Sequence, residues 1–205
     1  MTISLSDAGK RFNRDWIFRH FNYTFEAGQS YAIIGPNGSG KSTLLQVLGG
    51  GMMMNEGNIQ YSTNNIQYSI ENIYQHVSIC APYLEVIEEM TLKEFLSFHH
   101  GFKPFLPGIT PDSIIAALGL EKAINKQIRY YSSGMKQRVK MAQCIFSDTA
   151  IVLLDEPCTN LDTEGIALYH RLINDHCKDK LVVVGSNDEV EYKFCGNRLN
   201  ILNWK

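Results

Sequence analysis

The sequence predicts an α/β fold with a mainly parallel sheet between helices. An apolar run at Ser30–Ile34 leads into a glycine-rich turn and then into Ser42–Leu48, which has helical character. Two later aliphatic runs, Ile151–Leu154 and Leu181–Val184, show no polar alternation. Strands that are buried on both faces have this composition, as in a parallel sheet that helices cover.

Two further segments differ from this core. Residues Thr2–Glu26 and Gly57–Val77 are rich in Ile, Tyr, Thr and Asn, which favours short antiparallel strands. The stretch Tyr83–Arg129 has helix-like apolar spacing, interrupted by three prolines and a glycine. We therefore expect one domain over residues 1–205, with an N-terminal antiparallel β sub-domain and an inserted α-helical sub-domain at about residues 83–140.

Composition excludes several classes of function. The 205 residues are 44% hydrophobic and carry 19 basic against 21 acidic side chains, so no global charge points to nucleic acid or anionic lipid. The five cysteines are scattered without the spacing of a zinc site or a disulfide framework. The aliphatic runs are far shorter than the ~20 residues that cross a bilayer. We expect a protein of the reducing cytosol, which acts on a membrane, if it does so, from outside the lipid.

The turn after the first core strand contains a phosphate-binding motif. Gly35–Ser42 reads GPNGSGKS, which matches G-x-x-x-x-G-K-[ST] in full. Glycines let backbone N–H groups approach phosphate oxygens, Lys41 supplies a point charge and Ser42 a hydroxyl ligand for Mg²⁺. The predicted binding residues are Gly35, Pro36, Asn37, Gly38, Ser39, Gly40, Lys41, Ser42 and Thr43. The cofactors expected here are ATP and Mg²⁺.

A second motif ends the aliphatic strand that begins at Ile151. Asp155 and Glu156 follow it directly, and ligands of parallel sheets lie beyond the carboxyl ends of the strands. Asp155 is the predicted metal ligand, and Glu156 is the predicted base for the water that attacks the γ-phosphate. A solvated acidic turn would explain the charges, but it would not explain an aliphatic strand that delivers both carboxylates to one place.

A third motif, Ser132–Arg138 (SSGMKQR), precedes a helix-like stretch. With the two motifs above, in this order, it resembles the signature of the ATP-binding cassette (ABC) family, which has a P-loop NTPase core. Tyr131, Ser133 and Met135 depart from the usual L-S-G-G-Q. The resemblance implies a head-to-tail dimer, in which Ser132, Ser133 and Gly134 of one copy meet the ATP of the other. An ordinary helix cap formed by either serine is compatible with this.

The same resemblance implies two more binding residues. Asp162, in Thr159–Asp162, occupies the loop that pairs across the dimer. Phe12 occupies the place of the aromatic residue that stacks on adenine, although it could equally be a core residue of the antiparallel sheet. Trp16 is a weaker candidate for stacking.

The sequence departs from the family at two positions. A glutamine is expected where Pro82 stands, and a histidine that senses the γ-phosphate where Asn187 stands. Asn187 can donate a neutral hydrogen bond but carries no positive charge. Either water and neighbouring groups substitute, so that Lys41, Glu156 and Asn187 still support hydrolysis, or hydrolysis is slow.

The resemblance implies the ATPase subunit of a transporter, similar in size to short exporter-type cassettes. It would act as a homodimer or with a paired ABC subunit, and on a separate transmembrane permease subunit that docks near Tyr83, Leu84 and Glu85. The alternative is a cassette without transport function, which hydrolyses slowly and acts as an ATP-dependent dimerisation switch. A GTPase or small-molecule kinase would lack the serine–glycine signature, and no N-K-x-D base-recognition string occurs.

Overall fold

The computed structural model describes residues 1–64 and 66–205, which form two compact units. The first unit comprises Met1–Ile79, Thr149–Glu156 and Asp179–Lys205, and the second comprises Cys80–Asp148 and Pro157–Lys178. The fold is mixed α/β, as predicted. The second unit includes Pro157–Lys178, which follows the acidic strand. Nothing in the sequence indicates that this segment groups with the helical insertion.

The first unit contains two sheets. Its strands are β1 (Thr2–Phe12), β2 (Asp15–Phe25), β3 (Ser30–Ile34), β4 (Glu56–Thr63), β5 (Ile66–Tyr68), β6 (Val77–Cys80, whose last residue lies in the second unit), β7 (Ile151–Asp155), β8 (Leu181–Gly185) and β9 (Asn197–Asn200). The antiparallel sheet has the order β2-β1-β4-β5, and the other has the order β6-β7-β8-β3-β9. Strands β7, β8, β3 and β9 pair in parallel. Both aliphatic runs identified in the sequence are therefore central parallel strands.

Among its described residues, the first unit has two α-helices. They are α1 (Lys41–Leu48) and, numbered in chain order, α6 (Glu189–Tyr192). A hydrophobic core includes residues of both sheets and of α1, with Ile3, Phe21, Leu44 and Leu153 all fully buried. Strands β7 and β8 are buried along their whole length, which explains their aliphatic sequence without polar alternation.

The second unit is helical. Its helices are α2 (Leu92–Phe102), α3 (Pro111–Leu118), α4 (Ser133–Ile145) and α5 (Thr163–His176). Thr91 and Thr110 form capping boxes that begin α2 and α3, and Pro111 is the first residue of α3. Pro111, which interrupts the apolar spacing of the insertion in the sequence, is therefore the start of a helix. Among residues 1–64 and 66–205, no helix is both long and apolar enough to cross a membrane.

A partly buried histidine ties α2 to the segment after α4. His99 Nε2 lies 2.9 Å from Ser147 Oγ, and the Ser147 hydroxyl donates to the carbonyl of Gln143. Burial lowers the pKa of His99 to about 4, with the nearby charges of Lys103 and His100 acting in the same direction. His99 is therefore neutral in the folded protein at pH 7.

This histidine should make stability depend on pH. The pKa of His99 is lower in the folded chain than its ordinary value of about 6.5. Its neutral form therefore supports folding fully above that value, and this support is lost as the pH falls toward 4. We expect the free energy of unfolding of His99→Gln to fall less than that of the wild type between pH 7 and 4.5, by about 1–2 kcal/mol for a ring that is only partly buried. Urea unfolding at several pH values measures this difference, and parallel curves for the two proteins would contradict it.

Candidate functional site

The loop between β3 and α1 has a backbone that glycine permits. The φ angles of Gly35, Gly38 and Gly40 are 152°, 75° and 109°. A Cβ atom on Gly40 would lie 2.3 Å from Ile17 Cγ2, and one on Gly35 would lie 2.8 Å from Ser39 Oγ and 3.0 Å from Ile201 Cγ2. Glycine is thus required here both by conformation and by the close packing of neighbouring side chains.

Lys41 begins α1 and is almost fully buried. Its Nζ donates to the carbonyls of Gly35 (2.8 Å) and Pro36 (3.2 Å). The ammonium group is therefore held inside the curve of the loop. The N-terminus of α1 lies at the same place, where free N–H groups and the helix dipole favour an anion.

Asp155, the last residue of β7, is 2% exposed. Burial raises the pKa of its carboxyl, as does the charge of Glu156, whereas a hydrogen bond with the Ser42 side chain and the charge of Lys41 lower it. Within the described residues, Oδ1 of Asp155 has no hydrogen-bond partner. A buried carboxylate beside a serine hydroxyl, with one oxygen unused, suits a small divalent cation that prefers oxygen ligands. The residues present therefore fit Mg²⁺.

Glu156 adopts a left-handed backbone conformation, with φ at 44°. Its N–H donates to the carbonyl of Gly185 on the neighbouring strand β8. Successive side chains in a strand alternate between faces, so a continued strand would turn Glu156 away from Asp155. The left-handed residue ends this alternation, and Glu156 lines the same cavity as the loop between β3 and α1.

That cavity has a volume of about 180 Å³. It is lined by Ile17, Asn37, Gly38, Gly40, Lys41, Ser42, Thr43 and Glu156. Ligand pockets usually measure about 300–1,000 Å³, so this one suits the phosphates of a nucleotide better than the whole molecule. Ile17 was missed in the sequence, because a lone isoleucine in a strand pattern gives no signal of contact with a distant loop.

Six predicted residues of the first unit are not part of this lining: Gly35, Pro36, Ser39, Asp155, Asn187 and Phe12. Asn187 Nδ2 donates to Asn37 Oδ1 (3.2 Å), which places Asn187 beside the loop. Phe12 ends β1 with 46% of its surface exposed, and Lys10 Nζ lies 5.3 Å from its ring centroid. Phe12 is thus a surface aromatic residue, and the alternative of a core residue is wrong. The guanidinium groups of Arg11 and Arg19 lie over the Trp16 ring, at 5.5 and 4.5 Å from its centroid.

The predicted signature residues lie in the second unit, at the start of α4. Ser132 is the N-cap, and its Oγ accepts from the N–H of Met135 (3.2 Å). Ser132, Ser133, Gly134 and Asp162 line one cavity of about 500 Å³. Asp162 is also the N-cap of α5, where its Oδ1 accepts from the N–H of Gly165 (2.8 Å).

Together, the parallel sheet, the glycine loop with its buried lysine and the two carboxylates at the end of β7 define a P-loop nucleotide-binding ATPase domain. The sequence profile described as ABC transporter matches residues 18–159. The chain belongs to the ABC transporter family.

Relatives and solved structures agree with this assignment. An uncharacterized ABC transporter ATP-binding protein of Bacillus subtilis, YhcH, is 28% identical over 98% of this chain and 66% of its own length. The cytochrome c biogenesis ATP-binding export protein CcmA of Xylella fastidiosa is 31% identical over 77% of this chain and 69% of its own length. A bacterial ABC transporter cassette with a dimeric structure shares the fold, with a TM-score of 0.80 at 22% identity over 97% of this chain and 94% of its own.

The packing at Gly40 predicts a large effect of a single methyl group. Gly40→Ala would place Cβ against Ile17 in a backbone conformation that L-residues disfavour by about 1–2 kcal/mol. The loop must move, and we expect the Kd for Mg·ATP to rise by about 100-fold, in line with the loss of an aligned group of phosphate donors. Titration with a fluorescent ATP analogue measures the affinity.

Gly38→Ala is the matched control, because φ is also positive at Gly38 but a Cβ there meets nothing within 4 Å. It should weaken binding much less than Gly40→Ala. Equal effects of the two substitutions would show that backbone conformation, and not the contact with Ile17, sets the requirement for glycine.

Proposed function

We propose that this chain is the ATP-binding and ATP-hydrolysing subunit of an ABC transporter, powering substrate movement through a separate transmembrane subunit. The observation that carries the proposal is a loop cavity lined by Lys41, Ser42 and Glu156, in which Ser42 is also hydrogen-bonded to the buried Asp155. The family hydrolyses ATP generally, and CcmA bears the name of an export protein. The chain would lie on the inner face of the membrane.

The residues of the site divide the chemistry among them. Backbone N–H groups of residues 37–43 and the ammonium of Lys41 bind the phosphates. Ser42 and Asp155 hold Mg²⁺, which neutralises charge on the phosphates when bound. Glu156 accepts a proton from the attacking water, and Asn187 orients the γ-phosphate with a neutral donor. Phe12 offers an exposed ring for stacking with adenine.

The site is complete only with a second copy in this proposal. Ser132, Ser133 and Gly134 begin a helix of 13 residues, whose first N–H groups can bind an anion. In a head-to-tail dimer, these residues and Asp162 of one copy would close over the nucleotide of the other. A cassette of the same fold has been solved as a dimer, which supports this arrangement.

Removal of the Glu156 carboxylate tests the proposal directly. Glu156→Gln keeps the shape of the side chain but cannot accept a proton, so kcat should fall by about 100-fold or more while Mg·ATP still binds. Because the bound ATP is not hydrolysed, the variant should accumulate as a dimer. Size-exclusion chromatography with light scattering detects this dimer. Glu26→Gln, at an exposed position after β2, is the control and should hydrolyse ATP like the wild type. Normal turnover by Glu156→Gln would refute this assignment of the base.

The alternative function is a slowly hydrolysing dimerisation switch without transport. The observation that favours it is the hydrogen bond of Asn187 with Asn37, because it places an uncharged amide beside the phosphate loop. Such a chain would dimerise with ATP but associate with no transmembrane subunit. Co-purification from membranes separates the two functions.

Asn187→His tests whether the neutral amide limits turnover. An imidazolium in that place would stabilise the negative charge that develops on the phosphates, and we expect kcat to rise by about tenfold. Asn187→Ala is the control for loss of the bond to Asn37. If Asn187→His leaves kcat unchanged or lowers it while ATP still binds, the amide is not the limiting group, and neighbouring groups already substitute.

A further inference from the structure

The 500 Å³ cavity of the second unit is lined by three segments: residues 119–123, the start of α4 and residues 160–162. The loop of residues 159–162 is named the Asp162 loop, and it lies beside the first turn of α4. They are in direct contact. A Cβ atom on Gly134 would lie only 3.0 Å from the carbonyl oxygen of Asn160, so the backbones of the turn and the loop pack closely. There is therefore little room at this point for one segment to move toward the other.

Arg138 makes the second link between them. Its Nη2 donates to Asp162 Oδ1 (3.3 Å), and its Nη1 donates to the carbonyl of Leu118 (3.4 Å). Leu118 is the last residue of α3, where carbonyls lack partners within the helix and a cation is favourable. The guanidinium of one α4 residue thus joins the end of α3 to the residue that begins α5.

Asp162 is suited to hold this link. The N–H of Gly165 and the guanidinium of Arg138 both lower the pKa of its carboxyl, so it is ionised at neutral pH. The Arg138 side chain is only 20% exposed, whereas that of Asp162 is 69% exposed. Arg138 is the anchored partner, and the Asp162 loop is the part that it restrains.

We propose that Arg138 is a positioning residue that fixes the Asp162 loop to the first turn of α4, so that both approach a partner's nucleotide as one rigid surface. This inference rests on the proposed head-to-tail dimer. Arginine is required, because its planar fork donates to two separate acceptors, whereas a lysine is a single point charge. An exposed ion pair contributes little to the free energy of unfolding, so the loss of Arg138 should affect dimerisation more than folding.

Arg171 on α5 provides a matched control. Its Nη2 donates to the carbonyl of Ala117, the residue before Leu118, at the same distance of 3.4 Å. In the described part of the chain, Arg171 has no ion pair with Asp162. Arg138→Met and Arg171→Met therefore each remove one arginine bond to the end of α3, but only Arg138→Met releases the Asp162 loop.

The experiment compares these variants as full chains, with and without Glu156→Gln. For Arg138→Met we expect the Kd of the monomer for Mg·ATP to stay within about twofold, the ATP-dependent dimer dissociation constant to rise about tenfold and kcat to fall more than KM changes. Arg171→Met should dimerise like the parent. Arg138→Lys should recover little of the lost dimer affinity. Arg138→Met combined with Asp162→Asn should have the same dimer dissociation constant as Arg138→Met alone, because both substitutions break the same ion pair.

Equal dimerisation by Arg138→Met and Arg171→Met, or additive effects of Arg138→Met and Asp162→Asn, would overturn the inference. A dimer that forms normally in Glu156→Gln, but is unaffected by Arg138→Met, would overturn only this inference. Absence of any ATP-dependent dimer in Glu156→Gln would overturn the proposed function with it. If Arg138→Met is unfolded, Asp162→Asn alone breaks the ion pair while its Oδ1 still caps α5, and it must then show the same loss of dimerisation.

Discussion

The positive φ angles of the three glycines between β3 and α1 are the constraint on which the rest of the site depends. They turn the chain so that its N–H groups and the buried ammonium of Lys41 face one small cavity. Ile17 and Ile201 pack against the α-carbons of Gly40 and Gly35. Since Ile17 lies on β2 and Ile201 follows β9, strands far apart in sequence hold this loop in place. Because the loop is already held in place, binding a ligand requires little further loss of conformational entropy.

The buried end of β7 forms the other half of the site. Asp155 is held at low dielectric beside Ser42, where its charge is costly without a cation. Glu156 stands one residue further on, in a conformation that costs a non-glycine residue about 1–3 kcal/mol. Its N–H group donates to the carbonyl of Gly185, which holds the backbone of this residue against β8. The two adjacent carboxylates therefore belong to one site, but Asp155 is buried beside Ser42 whereas Glu156 lines the cavity.

Much of this architecture could be predicted from the sequence. The parallel strands follow from aliphatic runs without alternation, and the phosphate loop follows from glycine spacing between a strand and a helix. The left-handed Glu156, the contact of Ile17 with Gly40 and the Arg138–Asp162 pair could not be predicted. Each depends on residues that folding brings together, and local spacing carries no information about such contacts. Pro111 shows the same limit, because proline interrupts an apolar pattern equally well when it begins a helix.

The two cavities differ in how their positive character arises. The loop cavity of the first unit has a buried ammonium and fixed N–H groups, so it can bind phosphate in a single chain. The cavity of the second unit is lined by the start of α4 and by Arg138. The Arg138 guanidinium already donates to the carbonyl of Leu118 and to the carboxylate of Asp162. That arginine therefore shapes the surface and leaves the helix N-terminus to meet an anion. In the proposed head-to-tail dimer, that anion would be the nucleotide held by the second copy, so ATP would be the group that joins the two copies.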